Sequence, residues 1–181
     1  MASNVDDLIR AYEKVVNVPW AETLSGQERI WFLVYDPDMQ RKVDFRIGDF
    51  ENSTRKTGKN WVSISFKDCF PKWMANHEYR DEYFKEPDVL VDQLESDFKI
   101  FATNHTIDKI RNLNIDENTV VAFTDVASLF GFTKLSDILN DIAREVKGRL
   151  LVFFPGEFER NQFRLLNARD GWSYLARPIT A

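Results

Sequence analysis

Four apolar runs in this chain are each followed by acidic residues. Asp36 follows "IWFLVY", Asp68 lies just beyond "NWVSISF", Asp125 closes "TVVAFT", and Glu157 and Glu159 come after "RLLVFFPG". If the runs are strands of an open α/β sheet, these carboxylates lie at the carboxyl ends, where such sheets bind ligands. Carboxylates converging there could hold Mg²⁺ for phosphoryl-transfer or nuclease chemistry, with Asp36, Asp125 and Glu157 as the candidate ligands. The same residues have a plainer use, because Asp caps helices and tolerates turns. Asp36 precedes a proline and Asp125 opens "DVAS", so capping is the expected role. Whether the carboxyl groups converge separates the two readings.

Other chemistry finds less support. Neither GxxxxGK[ST] nor GxGxxG occurs, and the first apolar run leads into "YDPDMQRKV", which has no glycine to bring backbone N–H groups to a phosphate. There is no GxSxG elbow. Cys69 follows Asp68, and an acidic neighbour raises a thiol pKa. His105 continues the apolar stripe Leu94, Phe98, Phe101 and reads as a helix-end residue; His77 reads as a surface residue. "RKTGKNW" places Arg55, Lys56 and Lys59 beside Trp61, a loop that could touch a nucleic-acid backbone or stack a base, although such runs are usually solvated. No catalytic, metal or cofactor residue is therefore expected, and the chain does not read as an enzyme.

The elements that would position these residues follow from periodicity. Val5, Leu8, Ile9, Tyr12, Val15 and Val16 recur at helical spacing behind a Ser3–Asp6 box. Arg29–Pro37 is an apolar run of the kind buried on both faces of a parallel sheet. Residues 38–56 are moderately helical, with Gly58 as a stop, and Asn60–Phe66 alternates as a second strand. Lys67 to Glu86, rich in aromatics and charge, reads as short helical pieces covering a sheet edge. Pro87 opens a long helix carrying Leu90, Leu94, Phe98 and Phe101, and Thr119–Asp125 is a third strand. Lys134 to Lys147 is amphipathic and stopped by Gly148, and "RLLVFF" is a fourth strand.

Strands alternating with helices predict one three-layer α/β domain over residues 1–181, with a mostly parallel central sheet and helices on both faces. The segment "PGEFERN" is too short for a crossover, so the C-terminal pair should be an antiparallel hairpin turning at Pro155-Gly156. A length of 181 residues suits a single core, and 44% apolar with 29% charged residues is ordinary for a soluble protein. A net charge of -5 gives no general attraction to nucleic acid, so direct DNA binding is not expected. One cysteine, no signal-peptide pattern and no membrane-length apolar run suggest the cytoplasm.

The tail carries a further signal. In "LLVFFPGEFERNQFRLLNARDGWSYLARPI", Phe153, Phe154, Pro155, Gly156, Arg164, Leu165, Leu166, Trp172, Tyr174 and Arg177 fall into a pattern. It consists of an apolar strand ending in Phe-Pro-Gly, a polar turn, an Arg-Leu step and an aromatic segment before Arg-Pro. Tyr35, Asp36 and Pro37 add a strand followed by Tyr-Asp-Pro. Together these resemble BrxB, the small component of bacterial BREX phage-defence systems. Between Lys67 and Asn118 only the helical character matches. The resemblance implies a non-catalytic component working beside an AAA-type ATPase, a DNA methyltransferase and the alkaline-phosphatase-like PglZ. It would bind and position, or restrain, another component, with PglZ the favoured partner; self-association stays open. Aromatic and charged residues able to anchor such contacts are Trp73, Phe84, Glu157, Phe158, Glu159, Arg160, Trp172 and Tyr174.

Overall fold

A computed structural model of the chain describes residues 4–168 and 171–181. Helix α1 (Val5–Val16) is capped by Asn4, whose side chain accepts from the Asp7 N–H at 2.9 Å, while Asp7 accepts from the Asn4 N–H. The box expected from Ser3 lies outside the described residues, and the reciprocal pair stands one position later. Strand β1 (Ile30–Tyr35) is buried at all six positions. Helices α2 (Gln40–Phe45) and α3 (Ile47–Lys56) lead to β2 (Asn60–Ser65), and Gly58 ends the helical stretch with a positive φ of 77°.

Helices α4 (Cys69–Ala75) and α5 (Arg80–Lys85) precede one helical run from Pro87 to Asn112. That run is not uniform. A 3₁₀ turn (Pro87–Leu90) and α6 (Val91–Gln93) pass into a π-helical turn at Leu94–Phe98 before α7 (Lys99–Asn112). Strand β3 (Thr119–Thr124) and helix α8 (Leu135–Ala143) follow, then β4 (Arg149–Glu159), β5 (Gln162–Leu165) and β6 (Arg177–Ile179).

The main sheet has the order β2-β3-β4-β1-β6 with every neighbour parallel, and β5 pairs antiparallel with β4. Helices cover both faces. Side chains of β1 alternate between two cores: Ile30, Phe32 and Val34 pack with α4, α7 and α8, whereas Trp31, Leu33 and Tyr35 pack with α1 and α3. The central strands are buried on both sides, which is why they read as unbroken apolar runs. β2, at the sheet edge, buries only Trp61 and Ile64, one toward each core, so the simple alternation expected of it does not hold.

Three further expectations are corrected. The amphipathic segment stops at Ala143, five residues before Gly148. Gly148 instead lets two strands meet, since a Cβ there would stand 2.0 Å from the Thr119 carbonyl oxygen. The hairpin does not turn at Pro155-Gly156. β4 runs straight through both residues, paired with β1 up to Pro155 and with β5 from Gly156 onward. The turn is Arg160–Asn161, with φ of 51° and 63°, the left-handed pair that a two-residue hairpin of type I′ requires. Finally, β6 was not expected, and α4 and α5 pack into the face core instead of lying along an edge.

An arginine in the left-handed region is unfavourable, because Cβ crowds the following carbonyl. Exchanging the turn pair for Asn-Gly (Arg160→Asn with Asn161→Gly) is expected to raise stability by about 1 kcal/mol. Urea unfolding should show a later midpoint with unchanged slope; an earlier midpoint would contradict the turn geometry.

Candidate interaction surface

The strand-end carboxylates converge only in part: Asp36, Glu157 and Glu159 line one cleft beyond β1 and β4, which does not include Asp125 or Asp68. Asp36 accepts from the Asp38 N–H at 2.9 Å, capping a 3₁₀ turn. Asp125, left-handed at φ 57°, accepts from the hydroxyls of Ser65 at 2.6 Å and Thr124 at 3.3 Å, tying the end of β2 to the end of β3. Asp68 precedes α4 without a side-chain capping bond. Glu157 pairs with Arg164 across the hairpin at 3.6 Å, and Glu159 is exposed near the turn. Among the described residues, no group of three His, Cys, Asp or Glu side chains is placed to hold a metal.

The remaining polar candidates are no better placed for chemistry. Cys69 is buried, and burial pushes its thiol upward despite Lys109 and Lys72. His105 lies flat on Phe101 at 5.2 Å, and burial lowers its pKa. In the basic loop, Arg55 pairs with Glu51 at 2.8 Å, and Lys59 donates to the Asn118 side chain while lying 4.4 Å from the Trp20 ring. Trp61 is buried against Phe153, so it cannot stack a base. No helix of the described residues is long and apolar enough to cross a membrane.

The expected contact residues divide. Glu157, Glu159 and Arg160 are exposed on the hairpin, where Phe158 is half-buried, its ring 4.6 Å from Phe163. Trp172 bridges its backbone to Phe163 and sets its ring 5.6 Å from Phe154. Tyr174 stacks on Phe32 at 5.9 Å and donates its hydroxyl to Asn140; burial pushes that phenol up to about 12. Trp172 and Tyr174 still line one cleft with the turn residue Asn161. Phe84 is 69% exposed, as a contact residue would be. Trp73 is not: it is 5% exposed, buried beside Phe98, and donates its indole N–H to Asp97 at 3.0 Å. Trp73 belongs to the core because α4 packs inward against α7.

A further candidate surface, of which the sequence points only to Trp73 and Phe84, lies between β2 and β3. Tyr79, Phe84, Val89, Val91 and Ile100 are all exposed within this one excursion. Beside them opens a groove of about 660 Å³, lined by Trp73, His77, Tyr79, Tyr83, Asp97 and Phe101 among others. His77, expected at the surface, is a member of this cluster: its side chain is only 13% exposed, 4.8 Å from the Trp73 ring and 4.9 Å from Tyr83. Residues 77–99 hold eight carboxylates against three cations, which equals the -5 of the whole chain, so the remainder is formally neutral. Exposed apolar side chains inside a strongly acidic segment were the available sequence signal.

The family model described as "BREX protein BrxB" matches residues 69–177, more than half of the 181 residues. The matched part contains the exposed excursion from α4 through α7 and the hairpin of β4 and β5. No curated protein and no solved structure matches the chain.

Proposed function

The chain belongs to the BrxB family of BREX proteins, and from that premise we propose that it serves phage defence without catalysis of its own. It binds another component of the same system and positions or restrains it. PglZ is the partner the reading favours, with an AAA-type ATPase component second. The observation that supports this most directly is the row of exposed large apolar side chains from Tyr79 to Ile100, within the matched part of the chain. Tyr79 and Ile100 share one groove, and large apolar side chains exposed together on a domain surface mark a place that another protein covers. The engagement of Asp36 and Asp125 in local capping and strand-end bonds agrees with a binding role.

Purified protein mixed with PglZ at micromolar concentration is expected to co-elute in size-exclusion chromatography, ahead of either component alone. Elution as two separate species would sink the pairing. The hairpin residues Glu157, Phe158, Glu159 and Arg160 and the cleft residues Trp172 and Tyr174 form a second surface on which contacts could fall. Hydrogen exchange on the complex, compared with the free protein, tells which of the two surfaces is covered.

A further inference from the structure

We infer that the groove beside Trp73 seats an arginine side chain carried by a basic, partly apolar segment of another protein. The inference rests on the reading that this chain acts by docking a partner. It deepens that reading by naming a site and a chemistry.

Asp97 carries the first part of the argument. It sits in the π-helical turn Leu94–Phe98, a local irregularity found frequently at functional sites. Its Oδ2 accepts from the Trp73 indole N–H at 3.0 Å and stands 3.3 Å from His77 Nε2. The Tyr79 backbone N–H donates to His77 Nδ1 at 3.2 Å, which leaves the ring proton on Nε2, toward Asp97. Two ring nitrogens therefore orient one carboxylate oxygen. The other, Oδ1, has no hydrogen-bond partner among the described residues, and the side chain is 54% exposed.

The walls supply the second part. Aromatic faces attract a cation electrostatically, and they do so most strongly where water is partly excluded. Both close cation–ring contacts found among the described residues involve Trp20, far along the chain from this groove. The nearest arginine in sequence, Arg80, is held by the Ala75 carbonyl at 3.1 Å and by Asp81 at 3.3 Å. The groove thus offers rings and an oriented carboxylate to a cation from outside. A guanidinium fits this set better than an ammonium, because it is planar, stacks on rings, and donates in a fork to a carboxylate.

The surroundings fix the kind of molecule that carries it. Ile100 and Tyr79 line the groove and are exposed, and Phe84, Val89 and Val91 are exposed along the same excursion. A free small cation would leave Ile100 and the ring of Tyr79 uncovered, whereas a protein segment with apolar side chains beside its arginine would bury them. The surplus of five carboxylates in residues 77–99 favours a basic segment and discourages an acidic one.

The test uses the full chain and a synthetic amphipathic peptide of alternating arginine and leucine, with matched lysine and glutamate versions. The Trp73 indole N–H, assigned by comparison with Trp73→Phe, is followed by NMR during titration. The arginine peptide is expected to shift that signal and bind about fivefold or more tighter than the lysine peptide, with no binding by the glutamate peptide. Asp97→Asn, which keeps an oxygen for the indole, and Tyr79→Ala, at an exposed position, should each weaken the arginine peptide about tenfold. Phe45→Ala, an exposed ring on α2, should change nothing. Equal binding of the arginine and glutamate peptides, or variants that bind like the parent, would overturn the inference. With PglZ as the second probe, co-elution unaffected by either variant removes the groove and keeps the docking reading. A peptide that binds in the groove while PglZ does not co-elute keeps the groove and removes that pairing.

Discussion

Gly156→Ala is expected to cost the fold about 3 kcal/mol or more, at the upper end of what overpacking a well-filled site does. The added Cβ would stand 2.0 Å from the Arg164 carbonyl oxygen and 3.0 Å from both the Arg164 carbonyl carbon and the Phe154 ring. Two of these three are backbone atoms of the facing strand, so no rotamer change relieves them. β5 has to move away from β4, and it carries Phe163, which is fully buried and packed on Phe32, Phe154 and Phe158. Thermal unfolding should fall by about 6 to 12 °C for a chain of this size. The same substitution at Gly48 is the internal control, because that residue lies in α3 with nothing within 4 Å of a new Cβ. There it should add about 0.5 to 1 kcal/mol by removing backbone freedom from the unfolded chain. Equal midpoints for Gly156→Ala and the parent would show that β5 does not seat against Gly156.

The second large effect is expected from Phe32→Ala, at about 4 kcal/mol. Phe32 is fully buried at the centre of β1 and stacks on Phe154 at 5.1 Å and on Tyr174 at 5.9 Å, with Phe163 edge-on at 4.5 Å. These rings come from β4, from β5 and from the segment before β6, so the side chain joins the parallel sheet to the C-terminal hairpin. Removing it deletes both the transfer free energy of the ring and its contacts on several sides, and rigid strands limit the collapse of the cavity. Phe32→Leu retains most of the volume and should cost about 1.5 kcal/mol. Denaturant unfolding of the two variants gives the comparison, and a loss for Phe32→Ala no larger than that for Phe32→Leu would contradict the packing. Tyr174 provides a local readout: its phenol, raised by burial, should titrate closer to an ordinary tyrosine once its stacking partner is gone.

Most of the layered architecture was legible because its causes are local. β1, β3 and the first half of β4 are buried on both faces, so nearly every residue is apolar, and β2 is more polar because it lies at the edge and buries only Trp61 and Ile64. α1 shows its buried face at regular helical spacing. Pro155 and Gly156 were misleading for a physical reason. They are ordinarily turn residues, yet here the strand passes through them, and the demand for glycine comes from a carbonyl on another strand. The true turn, Arg160–Asn161, carries only half of the usual Asn-Gly signature.

The candidate interaction surface was legible only in fragments. Phe84 and the charged hairpin residues lie in polar sequence and are exposed, as their surroundings in the sequence indicate. Trp73 looked the same in sequence but is turned inward, since residues 67–86 have no clean period to assign a face. Asp97 and His77 are twenty residues apart, and nothing in their spacing indicates that one π-helical turn brings them together. The signal that could have been used was the coincidence of excess carboxylates with apolar residues off the helical stripe.

The position of β1 bears on how the family resemblance can be used in the laboratory. β1 lies outside the matched residues 69–177, yet it is hydrogen-bonded on one side to β4 and on the other to β6. A truncation beginning at Cys69 would therefore strip β4 of a six-residue neighbour, and Phe153 of its cover from α3. It would also leave a long, apolar, unpaired strand edge, the template on which chains aggregate. The segment by which the chain is assigned to its family is not a segment that can be excised and expressed alone.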